Sequence, residues 1–331
     1  MSINSSNSGQ EPTVKIPGVA GLRWDRLGPL SPFIPVIVIG LIAAVSVRGF
    51  ATAPNLIAVV QASAITGIAA IGTAAITICG RFVSLAVEQQ AMTAAFVFAA
   101  LILAGMPLAV ALFAVFVLAA ILGFVQGYLV SRGLNPIVTT LAFGSVLFGV
   151  VVWLADNRTL TLSDNPMASI GGGLTLGIPN QALIFLVLVA VGTWFLSRTT
   201  LGRQIVLTGA NDKAAELIGI PTKRIVIIAF VIAGLLAAVV GILVVGQVSQ
   251  AKSDMFRGLT IDVVAAILVG GIAIQGGEGQ LWRAGLGAIV LTMLSNIMLL
   301  LGIDAGMREL AKGILAGAVL LTITLMKERG K

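Results

Sequence analysis

Long apolar stretches, broken by brief polar joints, dominate the chain from Pro32 onward. A helix needs roughly 20 apolar residues to cross the hydrocarbon core of a bilayer. Ten such stretches are read, over about 32–49, 56–79, 84–104, 107–130, 137–155, 181–197, 225–247, 261–276, 282–302 and 307–326. The eighth is short. The second and third meet at Gly80-Arg81, which fits either a tight hairpin or a broken helix. The expected fold class is all-α: a polytopic integral membrane protein with about ten transmembrane helices. It divides into a tail over 1–30, a transmembrane domain over 31–326 and a short tail over 327–331.

One polar interruption, Thr199 to Arg224, stands between two apolar stretches and so belongs in water. Its chemistry describes a helix of about two turns. Asn211 or Asp212 can cap the start, because a side-chain oxygen there satisfies an orphan backbone N–H. Gly219 is placed to end the helix in the left-handed conformation, and Pro221 prevents its resumption. A helix so short is not stable alone, since nucleation is costly. It must dock on this chain or on a partner.

Composition removes most other classes. Of 331 residues, 58% are hydrophobic and 10% charged, and the mean hydropathy is +1.09. Soluble domains carry about 25% charged residues. The net charge of +7 does not point to nucleic acid, because the basic residues lie between apolar stretches instead of forming one face. They act as topology determinants. With the N-terminus inside, 14 of the 20 Lys and Arg fall on the inner side. The other six are Arg48, Arg158, Lys252, Arg257, Arg308 and Lys312. The excess belongs in the cytoplasm, together with both tails and the 199–224 loop. The loop over 156–180 is then external. The first 30 residues lack an apolar region followed by a cleavage site, so no removable signal peptide is expected, and Trp24 stands where an interfacial anchor would sit. The single cysteine, Cys79, and the absence of histidine rule out disulfides within the chain, thiolate metal clusters and His-based catalysis or ligation. No metal site is expected. No G-x-x-x-x-G-K-[ST] phosphate loop occurs, so any ATP chemistry requires another polypeptide.

Ionisable residues inside lipid are functional candidates. Glu88, Asp262 and Asp304 qualify, although each lies near a span end where water can reach it. No span carries the carboxylate series of a proton relay. The uncharged polar positions Gln61, Ser63, Thr66, Thr73, Thr77, Gln126, Tyr128, Thr139, Thr140 and Asn296 suit a passage for a polar, uncharged solute. That holds for the set; any one of them taken alone fits better as a hydrogen bond to a neighbouring helix backbone. Gly270, Gly271, Gly276, Gly277 and Gly279 interrupt the eighth stretch. They allow close helix packing, and they also match the broken segments that line transporter pathways. The candidate path residues are Gln61, Thr66, Glu88, Asn135, Asp262, Gly270, Gly271, Gly276, Gly277 and Asn296.

Three ordered blocks resemble the sugar-type ABC importer permeases, those for ribose, xylose, arabinose, galactofuranose and autoinducer-2. Thr200-Leu-Gly-Arg203 with Gly209-Ala-Asn-Asp-Lys-Ala-Ala-Glu-Leu-Ile-Gly-Ile220 is similar to their cytoplasmic loop. Asn135-Pro-Ile-Val-Thr-Thr-Leu141 is similar to N-P-F-I-V-T-L. Ile261 to Gly271, continuing through Gln275-Gly-Gly-Glu-Gly279 to Gly287 and Asn296, is similar to the family's glycine-rich third block. The resemblance covers roughly 50–325. It implies an ABC importer permease fold working in a bacterial inner membrane, with cytoplasmic ABC ATPase subunits, an external substrate-binding protein and a second permease copy or paralogue. It further implies that ATP and Mg are used by the ATPase and not bound by this chain. The implied coupling residues are Thr200, Gly202, Arg203, Gly209, Asn211, Ala214, Ala215, Glu216 and Gly219. One departure stands out: where the family has G-G-I-D-L-S-V-G, this chain has Cys79-Gly-Arg-Phe-Val-Ser-Leu-Ala-Val-Glu88, without the aspartate and the closing glycine. Permeases for nucleosides or branched-chain amino acids share a related loop, and an ion-coupled secondary transporter is the rival of another class.

Overall fold

The computed structural model describes residues 33–156 and 158–328. The expected N-terminal tail with Trp24, and the last three residues of the C-terminal tail, lie outside them. Ten helices follow the ten expected stretches: α1 (Ile34–Ser46), α2 (Ala53–Ile78), α3 (Val87–Leu103), α4 (Leu108–Ser131), α5 (Pro136–Leu154), α7 (Asn180–Arg198), α10 (Thr222–Val248), α11 (Leu259–Val269), α12 (Leu281–Leu300) and α13 (Ala305–Glu328). Between them lie α6 (Ala168–Gly171), α8 (Thr200–Ala210), α9 (Asp212–Leu217) and four two-residue strands. By length and composition α2, α4, α5, α7, α10 and α12 can each cross a membrane, while α1, α3 and α11 are shorter apolar helices. The chain is a multi-pass membrane protein.

Helices α2 and α10 form the centre. In each, 61% of the most apolar window is buried, against 22% to 28% in α4, α5 and α7, which therefore stand at the periphery of the bundle. The cause is small side chains. Along α2 the buried run from Ser63 to Ile78 is rich in Ala and Gly, which lets α10 and α12 approach closely. Helix α4 lies antiparallel to α10, with its Gly123 against Phe230 and Val231 and its Gly127 against Ile227.

One expected span is cut short, and one joint is wider than a turn. Helix α11 has 11 residues, about 16 Å at 1.5 Å per residue, half a bilayer core. The expected eighth span reaches 276, yet the helix stops at Val269 because Gly271, Gly276 and Gly277 adopt left-handed backbone. At Gly80-Arg81 the interruption is wider than a tight hairpin: residues 79–86 are all non-helical. Val83, Ser84 and Ala86 in it are buried, and the Leu85 N–H donates to Thr140 Oγ1 at 3.2 Å. Irregular backbone between membrane helices is tolerated where protein covers it in this way.

Over 158–180 the connecting segment carries short paired strands. Strand β1 (Leu160–Thr161) pairs antiparallel with β4 (Gln250–Ala251), and β2 (Leu174–Thr175) with β3 (Ile178–Pro179). Asn165 Nδ2 donates to the carbonyls of Val245 and Gly246 at 3.0 and 3.1 Å, which fastens the segment to the end of α10.

Candidate functional site

The polar interruption forms two helices where one was expected. Thr199 ends α7 and opens α8: its hydroxyl donates to Phe195 O at 2.7 Å and accepts from Gly202 N at 3.0 Å. Ile205 is fully buried, and α8 packs on α7, α10 and α2. Asn211 then caps α9 by accepting from Ala214 N at 3.0 Å. At its far end Gly219, at φ +85°, closes the helix. The Ile220 N–H reaches Ala215 O and the Gly219 N–H reaches Glu216 O, each at 3.0 Å, the paired bonds of a Schellman cap. Glu216 also accepts from the Thr222 hydroxyl at 2.7 Å, which ties α9 to the start of α10.

Three segments distant in sequence meet at the α8–α9 turn. Gly80, just after α2, Gly209 in α8, and Gly276 after α11 touch backbone to backbone. A Cβ on Gly209 would overlap the Ile78 carbonyl oxygen, and one on Gly276 would overlap the Gly80 Cα. The Gly277 N–H donates to that same Ile78 carbonyl at 2.9 Å. Beside this joint Arg81 Nη2 meets Asp212 Oδ2, the first residue of α9, at 2.5 Å. Cys79 is fully buried there. The turn after α2 and the glycines after α11 thus belong to one structure with the polar interruption.

Of the implied coupling residues, Thr200, Arg203, Asn211, Ala214, Glu216 and Gly219 are exposed. Gly202 lies against α7, Gly209 in the joint, and Ala215, 2% exposed, faces this chain's own core. Ala215 is therefore not on the free surface of α9. That surface is dominated instead by Leu217 and Ile218, 89% and 69% exposed beside Lys213.

The candidate path residues do not gather in one place. Gly276 and Gly277 belong to the joint. Gly270 packs on the backbone of Arg283, and Gly271, at φ +72°, has open space around it. Asn135 caps α5, accepting from Ile137 N at 2.9 Å. Asn296 exchanges hydrogen bonds with Asn55 at 2.8 and 3.0 Å, joining α12 to α2. Gln61 accepts from Gln247 at 3.1 Å, and Gln247 accepts from Gln181 at 3.0 Å. Thr66 is buried on α2. Glu88 and Asp262 share one region: Glu88 Oε2 accepts from Gly258 N at 3.1 Å, four residues before Asp262. Asp304 caps α13 by accepting from Met307 N at 3.0 Å.

The family model described as branched-chain amino acid transport system / permease component matches residues 55–324. The chain belongs to that family. The probable ABC transporter permease protein YphD of Escherichia coli is 35% identical over 192 residues, 58% of each chain. The ribose import permease protein RbsC of Haemophilus influenzae is 29% identical over 288 residues, 85% of this chain and 88% of that protein. The L-arabinose transport system permease protein AraH of Escherichia coli is 26% identical over 302 residues, 91% of each.

In this permease one of the charges counted to the outer side is buried in protein. Lys312 sits on α13 at 7% exposure. Its ammonium lies 2.8 Å from Asp262 Oδ1 and 3.1 Å from Glu309 Oε1, and so bolts α13 to α11. Lys312 stands inside the tenth apolar stretch, which is the signal the sequence offers. Arg81 and the pair Leu217 and Ile218 are the other residues missed. The apolar pair lies inside a block chosen for its polar and small residues.

Proposed function

We propose that this chain is the transmembrane permease subunit of an ATP-binding cassette importer, translocating a monosaccharide or similar small polar solute across the bacterial inner membrane by alternating access. The observation that carries it is α9. This short helix and its C-cap present Leu217 and Ile218 to water, while α9 packs on α8 and α10 and is tied by Asp212 to Arg81 just after α2. An exposed apolar edge on a capped helix suits insertion into a groove on a partner. The partner in this reading is a cytoplasmic ABC ATPase subunit that binds ATP and Mg. Both tails and α9 lie in the cytoplasm, and the 156–180 segment faces an external binding protein. A second permease copy or paralogue completes the pore, and this chain binds no cofactor. Alternating access follows when ATP-bound and ATP-free partners favour different states of the bundle.

The relatives named for ribose and L-arabinose, aligned over most of their length, support a sugar. The family description names branched-chain amino acids and supports the second reading. Thermal-shift screening of the cognate binding protein separates them: pentoses stabilise it in the first case, and leucine or valine in the second. Uptake by cells expressing this chain with its ATPase tests the mechanism. Uptake should vanish when the ATPase phosphate-loop lysine is replaced and should survive a protonophore. Uptake that persists without a working ATPase and collapses with the ion gradient would identify a secondary transporter instead.

A further inference from the structure

The Arg81–Asp212 pair is the only ion pair among the described residues that links α9 to the body of the bundle. Its two ends differ in setting. Asp212 opens α9, so it moves with whatever moves that helix. Arg81 lies near the start of the non-helical segment 79–86 that runs to α3, and it lines a cleft of about 660 Å³ shared with Phe82, Ser131, Gly133, Asn135 and Ile137 at the α4–α5 turn. The lining is mixed in character, with the Arg81 and Asn135 side chains on opposite segments. Farther along, the same segment is held to α5 by the Leu85 N–H on Thr140. The side chains of Arg81 and Asp212 are 25% and 37% exposed, so water can replace either partner when the two separate. Such a pair is easily reversible, unlike a fully buried one. Around it the contacts are glycine backbone with a single cross-segment hydrogen bond, Gly277 N to Ile78 O. Glycine surfaces can slide without re-seating side chains.

Building on the coupling reading of α9, we propose that Arg81 is the positioning residue that transmits movement of α9 to the cleft beside Asn135. With the pair closed, the 79–86 segment is held against α9 and the joint is shut. When α9 is drawn away, Arg81 is released and the segment shifts relative to the α4–α5 turn. The charge on Arg81 carries the link, so the interaction must survive exchange of the two signs and fail when either charge is removed.

Cys79, the only cysteine in the chain and fully buried beside the joint, reports this directly. In the first arm the purified permease in nanodiscs is labelled with N-ethylmaleimide, and the Cys79 peptide is quantified by mass spectrometry. A half-exposed pair of this kind contributes little, so Arg81→Ala and Asp212→Asn are each expected to speed labelling by about fivefold. Arg81→Asp with Asp212→Arg should return the rate to within about twofold of wild type. Wild-type rates in both single variants, or no rescue by the exchange, would overturn the proposal. In the second arm the permease is co-expressed with its ATPase and labelled with and without ATP plus vanadate. Wild type should show a nucleotide-dependent rate, and Arg81→Ala should lose that dependence while the ATPase still co-purifies. Dependence that persists in Arg81→Ala refutes the role of Arg81. Failure of the wild-type chain to retain the ATPase instead refutes the coupling reading of α9, and the first arm then decides whether the pair shuts the joint.

Discussion

Replacing Gly209 by alanine is the sharpest test of the glycine joint. The new methyl carbon would overlap the Ile78 carbonyl oxygen and lie 2.6 Å from Gly277 N and 2.9 Å from Gly80 N. All three neighbours are backbone, so no side chain can rotate away. Either α8 moves off the end of α2 or the turn after α11 retreats. Overpacking of this kind costs about 1–3 kcal/mol. The strained position is also that of the Gly277–Ile78 hydrogen bond, worth about 1 kcal/mol. Together they favour the open joint by about 2–4 kcal/mol, or roughly 30-fold to 1,000-fold at 1.4 kcal/mol per tenfold. Gly219→Ala is the control. It has the left-handed backbone but nothing within 4 Å, so it costs only about 1–2 kcal/mol of local strain and leaves the joint closed. The assay is maleimide labelling of Cys79 in nanodiscs, read beside thermal unfolding in detergent. Gly209→Ala should label at least 30-fold faster than wild type and Gly219→Ala at nearly the wild-type rate. Equal rates for Gly209→Ala and wild type, with equal melting temperatures, would refute the close contact.

Three further outcomes follow from the same geometry. Leu217→Asp with Ile218→Asp should abolish ATPase co-purification while shifting permease stability by no more than about 0.5 kcal/mol, because both side chains are exposed; unfolding curves and pull-downs check the two halves. Lys312→Met should destabilise the permease by about 3 kcal/mol, since it strands Asp262 beside a partly exposed Glu309, and adding Asp262→Asn should recover more than half. Denaturant unfolding measures this, and a wild-type midpoint for Lys312→Met contradicts it. Asn211→Ala removes the cap on Ala214 N, worth about 1 kcal/mol, so amide exchange over 212–217 should quicken about fivefold.

Local chemistry makes the ends of α9 legible in the sequence. Asn211 and Gly219 work through bonds to residues three to five positions away, so their roles can be read from the string itself. The same holds for the ten apolar stretches, whose length alone points to membrane helices. Helix α8 is not legible in this way. It depends on burying Ile205 and Gly202 against other helices, and nothing in Thr200–Ala210 separates that from loop chemistry. The joint is hidden for a related reason. Gly80, Gly209 and Gly276 are far apart in sequence, and a glycine seen alone signals only a break. Lys312 shows what charge counting does not see: a lysine reads as solvated until its partner is known, and Asp262 lies 50 residues away. The polar candidate path residues lie in or beside apolar stretches, and the glycines interrupt one. The structure disperses them because several, such as Asn135 and Asn296, spend that polarity on capping and on joining helices.

In the proposed importer, α9 meets the ATPase through Leu217 and Ile218. A photo-reactive benzoylphenylalanine placed at Leu217 tests it in native membranes, with the whole transporter co-expressed and irradiated. A covalent adduct is expected between the permease and the cytoplasmic ATPase subunit, absent when the same group replaces Leu176 at the tip of the β2–β3 hairpin. An adduct from Leu176 but none from Leu217, or adducts from Leu217 with lipid alone, would contradict it.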